Sequence, residues 1–201
     1  QSWKLVSDTH YKPYPCCRWS HPSIDAAAEL KRLHSFSYQD VALVEIKTFH
    51  NATRLGGHNP VSTDEFAYSI AFPVACMIVR GQVGVPELDK AALSDPDILR
   101  VSNVIRLIDD NYLTQISDGK RWAQVSIIMR DGTRYDAAPR TPRGDADLPL
   151  SDKEISGKFH LFADPILGCE TASKIETLCG NFDKLDAGGI QILLDLILSK
   201  P

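Results

Sequence analysis

Ala123-Gln124-Val125-Ser126-Ile127-Ile128-Met129-Arg130 and Arg134-Tyr135-Asp136-Ala137-Ala138 are two strand-like runs on either side of Asp131-Gly132. An Asp-Gly pair suits the positive-φ positions of a tight hairpin turn, so the two runs are expected to pair antiparallel. Toward the N-terminus, Val104–Ile108 has strand character, and Asp95-Pro96 opens a short helix before it. Thr63-Asp64-Glu65 opens a helix through Phe66, Ile70, Val74 and Met77 that Gly81 ends. Gly56–Pro60 is a loop. Val41–Phe49 alternates Val44, Ile46 and Thr48 as a strand does. Before it, Ser20 or Ser23 is placed to cap a helix through Ala26, Leu30 and Leu33. Trp3-Lys4-Leu5-Val6 is a further short strand candidate.

Toward the C-terminus the pattern is helical only. Thr141–Asp145 is a loop, and Ser151-Asp152-Lys153-Glu154 is a capping box opening a helix through Ile155, Phe159 and Phe162. Ile175–Leu198 holds two helical patterns with Gly188-Gly189 expected between them. This order predicts an α+β domain over residues 1–140 and a loop and helical segment over 141–201. The run Ile190–Leu198 is apolar nearly all round, and such a helix wants burial on most sides. It is expected to dock on something outside this chain.

The 201 residues are 43% hydrophobic and 24% charged, which excludes disorder as the main state. Lys and Arg number 22 against 26 Asp and Glu, a net charge of −4 with no basic stripe, so no nucleic-acid partner is expected. No apolar run reaches the ~20 residues that span a bilayer, so no membrane association is expected. Five cysteines without a repeating framework suit reduced thiols, and the expected compartment is the cytoplasm or an organelle matrix. Cys16-Cys17 lacks the paired spacing of a zinc site, and neither metal nor cofactor is expected. The chain starts at Gln1 with no signal segment, and the natural protein is expected to begin further upstream.

The chemistry concentrates in Lys12-Pro13-Tyr14-Pro15-Cys16-Cys17-Arg18-Trp19-Ser20-His21. Two prolines stiffen an extended elbow, which presents Lys12 with little entropy loss. His21 falls at a helix start, where N–H groups favour anions. A carboxylate substrate held by Lys12, with His21 as acid or base, is coherent chemistry. The bland alternatives are a solvated lysine, a helix-entry histidine, thiols that pack as small hydrophobes and Trp19 as a packing anchor. Elsewhere, His50 and His58 suit surface histidines rather than a metal site. Arg140, Arg143 and Asp145 suit either a charged loop facing a substrate or a turn with an internal ion pair. Tyr68 and Phe72 share a helix face, with the Tyr68 hydroxyl able to turn into a cleft.

The stretch from Lys12 to Ala26 resembles the K-x-Y-P-x-C-x-x-x-H segment of the MmgE/PrpD family, which includes 2-methylcitrate dehydratase, cis-aconitate decarboxylase and iminodisuccinate epimerase. Glu65–Ala75 resembles the family's helix after the second lid strand. Thr141-Pro142-Arg143-Gly144-Asp145, with Pro149-Leu150-Ser151 and Lys158-Phe159, resembles its late R-G-D-x-x-x-P-L segment. The resemblance implies a lid-like α+β domain, a small mixed sheet with helices packed on it, followed by helices that return to an all-helical domain. It implies a site between the two domains, with Lys12 pairing with a substrate carboxylate and His21 binding or exchanging protons. Arg18, Tyr68 and Arg143 complete the expected substrate-binding set. Cys16 matches the motif cysteine, taken as packing, and Phe72 stands where some members have a tyrosine. The implied function is the C-terminal part of a metal-independent, homodimeric lyase acting on a small polycarboxylate. The dehydratase branch of propionate metabolism fits best, with a decarboxylase or epimerase member, or a non-catalytic lid fragment or interaction module, as alternatives. The acidic, histidine and further lysine groups of the family's N-terminal half have no counterpart here, so this chain alone is expected to be inactive.

Overall fold

The structure is a computed structural model and describes residues 9–198. The strand expected at Trp3–Val6 lies outside the described residues. The chain divides into two compact units, residues up to 149 and residues from 150 onward.

The first unit is built on a four-stranded mixed sheet in the order β2-β1-β3-β4. Strand β1 (Val41–Thr48) pairs parallel with β2 (Ile105–Asp109) and antiparallel with β3 (Ala123–Met129), which pairs antiparallel with β4 (Arg134–Asp136). The expected hairpin is present: Gly132 N–H donates to Met129 O at 3.0 Å, and Asp131 Oδ1 accepts from Thr133 N at 2.9 Å. Strand β4 is shorter than the alternation suggested because Pro139 has no N–H for the ladder. Pairing resumes beyond it, where Arg140 and Ala123 exchange two backbone hydrogen bonds.

The sheet has one apolar and one polar face. Val44, Ile46, Val125 and Ile127 are fully buried beneath helices α1 (His21–His34) and α3 (Ala71–Arg80), whose Ile24, Ala27, Phe72, Val74 and Ile78 are equally buried. On the polar face Glu45, Ser126 and Asp136 stand in register across three strands. Arg134 bonds to all three, at 2.9 Å to Glu45, 2.8 Å to Ser126 and 2.9 Å to Asp136. Between β1 and β2 the chain runs through α2 (Thr63–Ala67), α3, α4 (Lys90–Leu93) and α5 (Pro96–Asn103); α6 (Asn111–Ile116) follows β2.

The helix expected from Thr63 to Gly81 is two helices. Ile70 N–H donates to Leu55 O at 2.8 Å and Ala71 N–H to Gly56 O at 3.2 Å, so both amides leave the helical ladder for the preceding loop. Ser69 then caps the new helix, its Oγ accepting from Phe72 N at 3.2 Å while it donates to Gly57 O. Periodicity survives the break, with Phe66 edge-on to Phe72 at 5.8 Å, which is why the apolar pattern suggested one element.

The second unit holds α7 (Asp152–Leu167), α8 (Cys169–Gly180) and α9 (Ala187–Leu198). The Ser151 capping box is formed: Ser151 Oγ accepts from Glu154 N at 3.3 Å, and Glu154 Oε2 accepts from Ser151 N at 2.9 Å. Gly188-Gly189 do not separate two helices. They lie in the first turn of α9, where Asp186 Oδ1 accepts the Gly189 amide at 2.8 Å, and the break falls between Gly180 and Ala187. Of α9's apolar residues only Leu193 is buried; Ile192, Leu194, Ile197 and Leu198 are exposed within this chain. No described helix is long and apolar enough to cross a membrane.

His160 ties α7 to α8. Its Nδ1 lies 2.7 Å from Asp164 and its Nε2 3.1 Å from Glu176. The hydrogen bonds to Asp164 and then Glu176 raise its pKa above the ordinary 6.5. Because the folded value lies above the unfolded one, the imidazolium's contribution is complete below about pH 6.5 and fades as pH rises through the folded value. We expect unfolding of α7–α8 to become easier as pH goes from about 6 to about 8. His160→Gln should flatten that slope, as read by thermal unfolding across the pH series. An unchanged slope in the variant would assign it to other groups.

Candidate functional site

The site is built on the elbow before α1. Pro13 and Pro15 restrict its backbone, but the elbow expected to be extended bends through residues 13–16, with Tyr14 and Cys16 buried and Lys12 exposed. Cys17 N–H donates to Ala67 O at 2.6 Å, fastening the elbow to the end of α2. The chain then turns into α1, with Pro22 in the helix's first turn. Neither expected cap is made. The Ser20 hydroxyl donates at 2.5 Å to Cys17 O, tightening the turn, and Ser23 lies inside the helix.

Lys12 and His21 meet at one atom. Lys12 Nζ donates to Cys16 O at 3.2 Å, and His21 Nε2 lies 3.2 Å from the same oxygen. A carbonyl only accepts, so Nε2 carries the proton in this contact. His21 is fully buried, with its ring edge-on to Tyr14 at a centroid distance of 5.2 Å. Lys12 therefore faces outward and His21 stands behind the elbow. The Cys16 Sγ lies 3.3 Å from Ser20 Oγ, and burial pushes its thiol pKa up to about 12. That thiol packs and is no nucleophile.

A cleft of about 390 Å³ opens beside Lys12, walled by Cys16, Cys17, Arg18, Trp19 and Tyr68. Three of the expected residues, Lys12, Arg18 and Tyr68, come together here, with Tyr68 66% exposed. Phe72 is not among them. It is fully buried in the core against Phe66.

Arg143 lies elsewhere, and its surroundings expose a feature that the spacing alone did not reveal. Arg143-Gly144-Asp145 clasps the elbow at three points. Arg143 Nε donates to Asp25 Oδ1 at 2.9 Å, and that oxygen also accepts the Tyr14 hydroxyl at 2.7 Å. Gly144 O accepts the Tyr11 amide at 2.9 Å. Asp145 pairs with Arg18 on one oxygen and lies 3.0 Å from His10 Nδ1 on the other. Asp25 is only 5% exposed. Burial, then the Asp25 charge, pushes the Tyr14 phenol well above its ordinary range, so it stays protonated and donates. Burial opposes the Arg143 charge, but the Asp25 carboxylate outweighs it and holds the guanidinium above its ordinary value. The loop's charges thus pair with the elbow and α1 rather than with one another. Arg140 follows the same pattern, pairing with Glu29.

Among the remaining candidates, His50 Nδ1 lies 2.5 Å from Asp109, a carboxylate that β2 supplies from a distant part of the sequence. His58 Nδ1 lies 2.7 Å from Ser102 O. Among the described residues no group of three or more His, Cys, Asp or Glu is arranged to hold a metal ion.

The family model of the MmgE/PrpD C-terminal domain matches residues 14–184. Human cis-aconitate decarboxylase is 22% identical over 193 residues, covering 92% of this chain and 39% of that protein. The mouse cis-aconitate decarboxylase is 22% identical over 195 residues, with the same coverage. The chain thus spans about two fifths of the length of these relatives.

The clasp can be opened at its middle. Gly144 has φ +91°, and a Cβ there would lie 1.8 Å from Tyr11 O, a backbone atom that cannot swing aside. Gly144→Ala is expected to cost about 3 kcal/mol or more. Arg143→Ala, which leaves Asp25 buried with one fewer partner, should cost about 2–4 kcal/mol, against about 1 for Tyr14→Phe. Urea unfolding of the three variants checks the ranking. A Gly144→Ala protein as stable as wild type would mean that the elbow is not clasped.

Proposed function

The chain belongs to the MmgE/PrpD family, and from that membership we propose that it forms the C-terminal part of a lyase acting on a small polycarboxylate. The observation that carries this reading is the convergence of Lys12, Arg18 and Tyr68 on one cleft beside a stiffened elbow. Lys12 takes one substrate carboxylate as a point charge, Arg18 offers a planar fork to another, and the Tyr68 hydroxyl reaches an oxygen between them. Arg143 serves by fixing the elbow. His21, expected from the sequence to exchange protons, acts in this reading from behind the wall: its Nε2–H holds the carbonyl to which Lys12 is tethered.

Dehydration of a 2-methylcitrate-type acid is the first reaction to test. Abstraction of a proton next to a carboxylate spreads negative charge onto that carboxylate, so a cation already seated on it stabilises the transition state more than the ground state. Decarboxylation of cis-aconitate is the second reading, favoured by the similarity to the two decarboxylases. There the carboxylate that leaves must shed its charge, so Lys12 and Arg18 would hold only the carboxylates that stay. In both readings a helical half supplies the remaining groups, the assembled enzyme is a homodimer, and α9 buries its apolar side chains against that half.

The test is turnover by this chain combined with the helical half of an MmgE/PrpD enzyme, on 2-methylcitrate and on cis-aconitate separately. The chain alone should be inactive and the combination active, with 2-methylcitrate the better substrate. Lys12→Ala should lower kcat/KM by about 10–100-fold, the worth of one charge-assisted contact to a carboxylate, without loss of folded structure. Wild-type turnover in that variant would remove Lys12 from the site. No turnover with either acid would favour the interaction module.

A further inference from the structure

The clasp that fixes the elbow also fixes Arg18, and this gives Asp145 a part in the site. A free arginine side chain samples many rotamers, and a ligand that uses it must bear the cost of ordering it. Arg18 is ordered before any ligand arrives. One of its terminal nitrogens is paired with Asp145, and the two side chains are only 20% and 14% exposed. Asp145 is itself immobilised. His10 lies against its second oxygen, its carbonyl accepts the Leu148 amide at 3.0 Å, and Leu148 O accepts the Gly144 amide at 2.8 Å. The guanidinium has five donors in a rigid fork, so the contact with Asp145 leaves others for a ligand. Its Nε is buried and has no hydrogen-bond partner among the described residues.

We propose that Asp145 is a positioning residue that holds Arg18 beside Lys12, so that the two cations grip two carboxylates of one polycarboxylate. The inference rests on reading the Lys12 cleft as a polycarboxylate site and adds how that site selects its ligand. A lone carboxylate beside an anion site would repel the ligand. One Asp145 oxygen is paired with Arg18, and the other is buried without a hydrogen bond among the described residues, 3.0 Å from His10 Nδ1. Little of the carboxylate therefore faces a ligand, and placement of the guanidinium outweighs that repulsion. A monocarboxylate satisfies one cation only, and the pair therefore discriminates by the number of carboxylates.

The test is an NMR titration of the 201-residue chain with tricarballylate, which has three carboxylates, and with propionate, which has one. Wild type should bind tricarballylate at least about tenfold more tightly, with shifts at Lys12, Arg18 and Tyr68. Arg18→Ala and Asp145→Ala should each cost about tenfold, and the double variant no more than either alone, because Asp145 acts through Arg18. Asp145→Asn, which keeps a neutral acceptor for the guanidinium, should cost about threefold. A purely structural role for Asp145 would instead multiply its loss onto that of Arg18→Ala. Should Asp145→Ala give an unfolded spectrum, Asp145→Asn carries the same cycle: its threefold loss must vanish in Arg18→Ala. Multiplying losses, an Asp145→Ala chain that binds as tightly as wild type or tighter, or no preference for tricarballylate in wild type would each overturn the proposal. Those failures are distinct from failure of the functional reading, which is decided by turnover of the combined halves.

Discussion

A carboxylate sealed inside a protein is costly unless a counter-charge and hydrogen-bond donors meet it there, and Asp25 is such a carboxylate. It sits on α1, and its two partners come from opposite directions in the sequence: Tyr14 from the elbow before the helix and Arg143 from the loop after the sheet. Neither partner can leave without exposing the other side of the debt. Helix, elbow and loop are thus tied at one oxygen atom, and the remaining contacts of the elbow follow. Tyr14 is pinned inward, and the bend through residues 13–16 leaves Lys12 exposed with its Nζ on Cys16 O. With Arg143 pinned, Gly144 is brought against Tyr11, and Asp145 falls beside Arg18.

The consequence is an unequal distribution of rigidity. The buried charge knot, the two prolines and the Cys17–Ala67 hydrogen bond fix the backbone beneath the cleft. The groups that face the cleft are long side chains on that fixed backbone. Ion pairs this near the surface contribute little to stability by themselves. Their value here is geometric, since a site gains affinity from groups already in place. The sheet takes no direct part. Its apolar face anchors α1, and its polar face satisfies itself through Arg134.

Much of this was legible in the sequence, and the parts that were not share a cause. Alternation in Val41–Thr48 and the Asp131-Gly132 turn gave strands and hairpin, because period and turn chemistry are local. The break at Tyr68–Ile70 was hidden because it depends on carbonyls of Leu55 and Gly56, which only the fold brings near. The Gly188-Gly189 pair is the exception: it misled although the cause is local, Asp186 three residues before Gly189 supplying the helix start. In the candidate site, Lys12 stood out by residue type and Arg18 and Tyr68 through the family resemblance, and the structure lines one cleft with all three. The seclusion of His21 did not stand out, because a histidine at a helix start has the same spacing whether its ring faces solvent or core. Arg143 and Asp145 were visible as a charged loop, but their partners Asp25 and Arg18 lie more than a hundred residues away in sequence.

The chemistry of the cleft also bears on what a complete enzyme must contain. A reaction that begins with proton abstraction needs a base titrating near the working pH. Of the groups at this cleft, the Arg18 guanidinium offers only donors, burial pushes the Cys16 thiol up to about 12, and the imidazole of His21 is turned onto a carbonyl behind the wall. What the wall offers is positive charge and hydrogen-bond donors, the means to bind an acid and to accept the charge that develops on it. In the enzyme proposed above, the base therefore approaches from the open side of the cleft. Binding and proton transfer would then sit on different parts of the protein, and only their closure on the substrate would assemble the reaction. Such an arrangement lets the lid hold a polycarboxylate without committing it to a reaction. Dehydration, decarboxylation or inversion would be chosen by where the opposing half places its base.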